Sequence, residues 1–374
     1  MDMDIVIAGG GYAGIACATR LARQAPVGAR IRLINPQPVL TERIRLHQAV
    51  AGQPLKERRI DTLLAACGVE LVTGRVEAID PGGQTLRVSG QELRWNRLVL
   101  AMGSRAAAPD APPHALTLDA QRPQELQRRL RALARGARVL VVGGGLTGIE
   151  TASELAEAYP HLRLELVTLG LVGGEFSAAG RQHILHTLER LHVTVREHAE
   201  TAMDADLCIW AAGFEFPALP RAAGVAVNAR GQVLVDSMLC CVSHPAIHAC
   251  GDIAARQSDE AVPLGCKSAM PMGAQVGENL ARELRGQAPE AFDYDLLFYC
   301  VSLGRRDGLI QWPDADGRPM GRILTGRRAA LFKEVICRST WWALRLEAKG
   351  RRGVVWKRTG RALRELADAG QARA

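Results

Sequence analysis

The chain has 374 residues, of which 48% are apolar and 23% charged; this is an ordinary globular composition with length for two or three packed domains, which excludes a fibrous or largely disordered protein. No apolar run reaches the roughly 20 residues of a membrane-spanning helix, and the net charge of +8 is unevenly placed, with the bases gathered toward the C-terminus. The nine cysteines include no CxxC or CxxxxC pair, which removes a redox-active dithiol and makes buried free thiols the expectation.

The chain opens directly on a strand-like run, Asp4-Ile5-Val6-Ile7-Ala8, so no signal or transit peptide is expected and the expected location is cytoplasmic, free or at the membrane face. That strand runs into Gly9-x-Gly11-x-x-Gly14, followed by a helical pattern with Ile15, Ala18, Leu21 and Ala22 on one face. Glycine is required for the tight turn at the first position and for the approach of a pyrophosphate at the second. At the third it allows close packing of helix on strand. The helix N-terminus then offers free N–H groups and a positive dipole end to the phosphates. The next strand, Ile31 to Ile34, ends at Asn35, where an acid is expected to bind the adenosine ribose.

Leu98-Val99-Leu100 is another apolar strand and ends in Ala101-Met102-Gly103-Ser104. The first layout then repeats. Val139 to Val142 leads into Gly143-x-Gly145-x-x-Gly148, with Ile149, Ala152, Leu155 and Ala156 on the following helix, and a second strand ends at Thr168. Two strand–GxGxxG–helix units predict two bound nucleotides. With Thr168 in place of an acid nothing repels a 2′-phosphate, so NADH and NADPH both stay open. Leu207 to Trp210 ends in Ala211-Ala212-Gly213, and Ala246 to Cys250 ends in Gly251-Asp252 before a helix from roughly 268 to 284. An acid at such a strand end can accept a hydrogen bond from a ribitol hydroxyl, and the helix start beyond it can aim its dipole at a flavin ring.

A last helix is predicted over 327–347, with Leu331, Phe332, Val335, Trp342 and Leu346 on one face and Glu334, Arg338 and Arg345 on the other. Between Arg318 and Arg364 only Glu334 and Glu347 oppose a long series of bases. Basic charge with Trp341, Trp342 and Trp356 suits an interfacial helix on anionic membrane. The same apolar face could instead pack on the body of the protein or on a second subunit as a homodimer.

The order GxGxxG, Ala-x-Gly, GxGxxG, Ala-Gly, Gly-Asp resembles the FAD/NAD(P) pyridine-nucleotide oxidoreductases over nearly the whole chain. Gly143-Gly-Gly-Leu-Thr-Gly-Ile-Glu150, Glu154-Leu-Ala-Glu-Ala-Tyr-Pro160, Leu46-His-Gln-Ala-Val-Ala-Gly52 and Ser302-Leu-Gly-Arg305 resemble the type II NADH dehydrogenases and ferroptosis-suppressor-like oxidoreductases. The resemblance implies an α/β fold, glutathione-reductase-like, with two Rossmann-like three-layer nucleotide-binding domains and a C-terminal α+β extension. It divides the chain into a first half of the FAD domain (1–108), an inserted NAD(P)H domain (109–228), the second half of the FAD domain (229–291) and the extension (292–374). It implies FAD as cofactor and NADH or NADPH as co-substrate. The implied nucleotide contacts are Gly9, Gly11, Tyr12, Ala13, Gly14, Asn35, Val76, Ala101, Gly103, Gly251, Asp252, Met270 and Pro271 for FAD, and Gly143, Gly145, Gly148, Thr168 and Gly213 for NAD(P)H.

Hydride transfer from nicotinamide to flavin needs stacked, oriented rings and no acid–base residue. The family match puts Glu150 near the nicotinamide, and a cation at Lys267, just before the flavin-facing helix, could stabilise charge on the flavin. The type II enzymes carry two glutamines four residues apart on this helix; here the first position is Pro271 and only Gln275 remains. Arg43, Arg45 and His47 lie in a segment that passes near the flavin in relatives, but a lone histidine reads as structural. The expected acceptor is a quinone or similar small molecule at a membrane face, with a soluble pathway-specific oxidoreductase as the rival. A sulfide:quinone oxidoreductase would need paired cysteines, for which Cys300 lacks an evident partner. No metal-ligand cluster stands out, and the basic tail lacks the interleaved stacking residues of a nucleic-acid surface.

Overall fold

The computed structural model describes residues 3–107, 115–118, 123–199, 205–257, 262–314 and 318–359; the polar tail after Leu366 lies outside them. Its first sheet is parallel and five-stranded, in the order Ile247–Ala249, Arg97–Leu100, Met3–Ala8, Ala29–Asn35, Glu70–Thr73. The central strand is fully buried from Ile5 to Ala8, as expected of a parallel sheet covered on both faces. Between its strands Arg97–Leu100 and Ile247–Ala249 the chain builds a second sheet of like design, in the order Thr194–Arg196, Arg163–Val167, Arg138–Val142, Leu207–Trp210, Leu116–Thr117. One parallel-sheet unit is therefore inserted in the other.

The helix Cys266–Leu284 lies along the helix Tyr12–Gln24 that follows the first glycine turn. It starts two residues earlier than the sequence suggests, so Lys267 belongs to its first turn. Two glycines four residues apart, on one face of the helix, allow the contact. A Cβ at Gly273 would run into the backbone of Ala13, and one at Gly277 would come within 2.5 Å of the Cys17 carbonyl oxygen.

The extension is a three-stranded antiparallel sheet, Tyr299–Ser302, Gly308–Pro313 and Pro319–Thr325, followed by the helix Gly326–Ala348. The Asp307 carboxylate ties it to the inserted unit. It accepts from the Gly308 and Gly326 amides at 2.7 and 2.8 Å and meets Arg190 at 2.9 Å and His183 at 3.0 Å.

The last helix buries the face that carries Ala329, Cys337, Thr340, Trp341, Leu344 and Glu347. The stripe read from the sequence is the other face. Leu331 is 67% exposed and Trp342 55%, and Phe332, Val335 and Leu346 are exposed with them, so this stripe does not pack on the body of the protein. Two of the three tryptophans offered as membrane anchors are corrected. Trp341 is buried with the Arg58 guanidinium 5.6 Å over its ring, and the Trp356 indole donates to the Asp293 carbonyl at 2.9 Å.

The buried Arg20–Glu347 pair fixes the docking of this helix. Both side chains are sealed from solvent. Arg20 Nε and Nη2 donate to the two Glu347 oxygens at 2.9 and 2.7 Å, Nη2 also to the Val354 carbonyl, and Nη1 to Glu278 at 3.0 Å. Glu347 also accepts from the Gly353 and Val354 amides. Removing one member leaves a desolvated charge without its counterion. Glu347→Ala is therefore expected to lower stability by about 3–5 kcal/mol in urea unfolding, while Arg20→Met with Glu347→Leu recovers most of that loss. An unchanged urea midpoint for Glu347→Ala would contradict the docking role.

Candidate functional site

The two glycine turns have the same geometry. Gly9 and Gly143 adopt φ of +119° and +128°, a region only glycine enters freely. A Cβ at Gly9 would strike the Ala101 carbonyl, and one at Gly143 would lie 2.9 Å from that of Ala211. At Gly14 and Gly148 a Cβ would strike the carbonyls of Gly9 and Gly143. These four glycines serve the protein's own packing. Gly11 and Gly145 do not: a Cβ at either has nothing within 4 Å. Each is the N-cap of its helix, Tyr12–Gln24 or Leu146–Ala158, with no side chain capping it. Space outside the backbone and uncapped amides at a positive dipole end are what a pyrophosphate requires, so the residues present fit one dinucleotide at each turn.

Asn35 leans over the first turn. Its Oδ1 accepts from the Gly10 amide at 3.0 Å and its Nδ2 donates to the Gln37 carbonyl at 2.7 Å. Thr168 leans over the second turn likewise, within 2.9 Å of the Cβ position of Gly144, and its Oγ1 accepts from the Gly170 amide at 3.3 Å. At the carboxyl ends of the first sheet, Asp252 accepts from Ser104 Oγ at 2.8 Å and from the Gly265 amide at 3.0 Å. Gly251 beside it has φ +75°, and a Cβ there would lie 2.9 Å from Ala13 Cβ. Gly103 and Gly213 also have positive φ. Met270 and Pro271 are buried in the helix Cys266–Leu284, and Val76 opens the strand Val76–Asp80 and packs on the first core. The residues assigned to FAD, Val76 apart, thus lie around one edge of the first sheet, where open parallel sheets bind ligands.

A second cluster forms where the inserted unit, the first unit and the extension meet. Glu150, one turn into the helix Leu146–Ala158, is buried. Its Oε1 accepts from the Ser302 amide at 3.0 Å and lies 3.0 Å from Lys333 Nζ, and its Oε2 lies 3.6 Å from His47 Nδ1. Lys333 also donates to Cys300 Sγ at 3.5 Å. Burial pushes the Glu150 pKa up, but Lys333, His47 and the Ser302 amide outweigh it and hold the carboxylate below its ordinary value. Burial opposes the charge on Lys333, yet Glu150 leads the groups that raise its pKa well above the usual range. Burial dominates at His47 and lowers it to about 4, against the pull of Glu150, so the imidazole is neutral at pH 7. Lys267 Nζ lies 5.0 Å over the Tyr299 ring, and burial lowers its pKa.

The neighbouring motif residues meet too. Glu154 pairs with Arg305 and accepts from Gln53 Nε2 at 2.6 Å, the Arg305 amide donates to Glu157 at 2.6 Å, and the Tyr159 hydroxyl donates to the Val50 carbonyl at 3.2 Å. His47, read as structural, lies buried with its Nδ1 3.6 Å from Glu150. Lys333 escaped notice, although it falls in the four-residue series Ala329, Lys333, Cys337, Trp341, whose other members are buried, and stands as the one base in it. Gln275 is fully buried and donates to Asn279 Oδ1 at 3.0 Å, so it is committed to the protein interior. All nine cysteines are free.

Comparison with known proteins gives the same picture. The model of the family described as Pyridine nucleotide-disulphide oxidoreductase matches residues 3–200 and 182–278. A NADH dehydrogenase-like protein of Mycobacterium tuberculosis (strain CDC 1551 / Oshkosh) is 31% identical over 330 residues, with 76% of this chain and 81% of the relative covered. A type II NADH:quinone oxidoreductase of Staphylococcus haemolyticus is 25% identical, covering 89% of this chain and 93% of its own. The solved sulfide:quinone oxidoreductase of Aquifex aeolicus superposes with a TM-score of 0.80 at 20% identity, over 94% of this chain and 93% of that one, which is a likeness of fold. With two dinucleotide cradles in place and a family model across most of its length, the chain belongs to the pyridine nucleotide-disulphide oxidoreductases and is an FAD-dependent, NAD(P)H-oxidising enzyme.

Proposed function

We propose that the protein passes electrons from NAD(P)H to a lipid-soluble quinone at an anionic membrane surface. The observation that carries this reading is the two-faced helix Gly326–Ala348. Its inner face delivers Lys333 to Glu150, and its outer face exposes Leu331, Phe332, Val335, Trp342 and Leu346 among the exposed Arg327, Arg328, Arg338 and Arg345. Apolar side chains within a basic rim suit the headgroup boundary, where each base contributes on the order of 1 kcal/mol. Among the described residues no helix is long and apolar enough to cross a membrane, so attachment would be peripheral. Exposed Leu297, and Phe298 stacked edge-on against Phe332 at 5.7 Å, extend the apolar face beside the strand that carries Tyr299 and Cys300. A quinone acceptor also agrees with the function named for the Staphylococcus relative.

The first glycine turn with Asn35 and Asp252 would hold FAD, which would supply the chemistry of accepting a hydride and releasing electrons to an acceptor. The protein's part is to hold and orient the two nucleotides on their glycine turns and to supply charge and protons nearby. We assign Glu150 to the nicotinamide and acceptor side, with Lys333 as the cation that keeps it ionised. Lys267, on the first turn of the helix Cys266–Leu284, is assigned to favour negative charge arriving on the flavin.

Anaerobic mixing tests the reading. NADH or NADPH should bleach the bound flavin, and a quinone added afterwards should restore its colour. Glu150→Gln should slow these steps by about tenfold, the worth of roughly 1.4 kcal/mol, with FAD content unchanged, and Lys267→Met should lower the flavin's reduction potential. Flavin that stays bleached in the presence of a range of quinones, while a soluble acceptor restores it, would favour a pathway-specific oxidoreductase. Wild-type rates in Glu150→Gln would remove Glu150 from the chemistry.

His47 adds a pH dependence to stability. Its folded pKa of about 4 lies below the ordinary 6.5, so between these values the unfolded chain binds the extra proton. Stability is full above about pH 6.5 and declines as pH falls toward 4, by up to about 3 kcal/mol for a shift of this size. His47→Gln should flatten that acid limb in urea titrations. A limb of the same slope in the variant would mean that the imidazole is not buried in its neutral form.

A further inference from the structure

Lys267 stands where a positive charge is hard to keep. It lies on the first turn of the helix Cys266–Leu284, at the positive pole of the helix dipole, and no side chain caps that end. Burial and the Lys333 ammonium lower its pKa, while Cys300, Glu175 and Cys266 pull the other way. Among the described residues no carboxylate closes an ion pair with it. What meets the ammonium is an aromatic face: Lys267 Nζ lies 5.0 Å from the centroid of the Tyr299 ring, within the range over which a ring quadrupole attracts a cation. Tyr299 comes from another part of the chain. It is half-buried at the start of the strand Tyr299–Ser302 of the extension, and the inserted unit braces it: the Phe176 ring meets it edge-on, with centroids 6.2 Å apart and planes at 64°. Phe176 closes a turn tied to the second glycine turn. Its amide donates to the Gly173 carbonyl at 2.9 Å, and the Gly173 amide donates to the Gly144 carbonyl at 2.8 Å. The preceding residue, Glu175, brings the carboxyl that acts on Lys267. The first unit, the inserted unit and the extension thus converge on one ammonium.

We propose that Tyr299 is a positioning residue for the reaction: its ring face, braced by Phe176, holds the Lys267 side chain in one place and its ammonium charged at the start of the flavin-facing helix. This rests on the assignment of Lys267 to the flavin. Tyr299 acts through Lys267, and the working part is the face of its ring.

The test uses the FAD-loaded, full-length protein. The flavin's midpoint potential is measured in the wild type, Lys267→Met, Tyr299→Leu, Tyr299→Phe and the double variant of Lys267→Met with Tyr299→Leu, and FAD content is checked in each. In parallel, the rate at which acetic anhydride labels Lys267 is followed against pH by peptide mass spectrometry, a readout that needs no turnover. Tyr299→Leu should lower the potential toward that of Lys267→Met, slow bleaching by NADH about threefold or more, and move the Lys267 labelling profile to lower pH, because a buried amine without the ring favours its neutral form. Tyr299→Phe keeps the ring face and should stay near the wild type in all three measurements. The double variant should match Lys267→Met alone, since Tyr299 acts through the lysine. A wild-type potential and labelling profile in Tyr299→Leu would overturn the proposal. So would Tyr299→Phe behaving as Tyr299→Leu does, or the two losses adding in full in the double variant. If Lys267→Met itself keeps the wild-type potential, the assignment of Lys267 to the flavin falls, and the labelling profile alone decides whether Tyr299 holds the ammonium.

Discussion

The ion pair between Glu150 and Lys333 is the contact on which the arrangement of the site depends. Neither charge could be buried alone, because a desolvated carboxylate or ammonium costs several kcal/mol until a partner and hydrogen bonds offset it. Here the partner comes from the far end of the chain, and the Ser302 amide satisfies the carboxylate further. The pair therefore closes only when three parts have met: the helix after the second glycine turn, the antiparallel sheet of the extension, and the last helix. His47, from the first unit, approaches as a neutral group.

The same helix has an independent anchor about four turns further on, in Arg20 and Glu347. Arg20 belongs to the helix that begins at the first glycine turn. One end of the last helix is thus fixed to the Glu150 cluster, and the other to the helix that follows the first glycine turn. Arg45 adds a third tie, donating to both oxygens of Glu334 at 2.9 and 3.0 Å. With its inner face committed in this way, the helix has a defined rotation. The apolar stripe must then face outward, and it cannot be traded for core packing without breaking buried charges.

Much of this was legible in the sequence, and what was missed follows a pattern. The glycine turns, the strands that precede them and the Gly251-Asp252 strand end are local signals, set by φ, close approach and apolar runs, and they appear in the structure as read. The stripe Leu331, Phe332, Val335, Trp342, Leu346 was also correct as a helical face. Its periodicity alone could not tell outside from inside, because the helix is apolar on both sides, and so Trp341 was grouped with Trp342. The contact of Lys333 and His47 with Glu150 was hidden for a different reason. Each acquires meaning from a partner more than a hundred residues away. The motifs around His47, Glu150 and Arg305 were noticed as separate resemblances, and only the fold shows that they touch. The close packing of Gly273 and Gly277 on Ala13 and Cys17 is likewise a tertiary fact that two glycines in a helical pattern merely permit.

The central claim is that one helix joins a redox site to a membrane surface, so that a membrane-dissolved acceptor is reached only by the docked enzyme. It is tested most directly by NADH oxidation with a long-chain quinone confined either to anionic vesicles or to neutral detergent micelles. The comparison is between the wild type and a variant with Leu331, Phe332 and Val335 replaced by serine. The account predicts that the variant keeps its FAD and its rate in micelles but loses about tenfold or more of its rate on vesicles, since three apolar contacts with the bilayer are worth well over 1.4 kcal/mol. Equal rates for the two proteins on vesicles would contradict it.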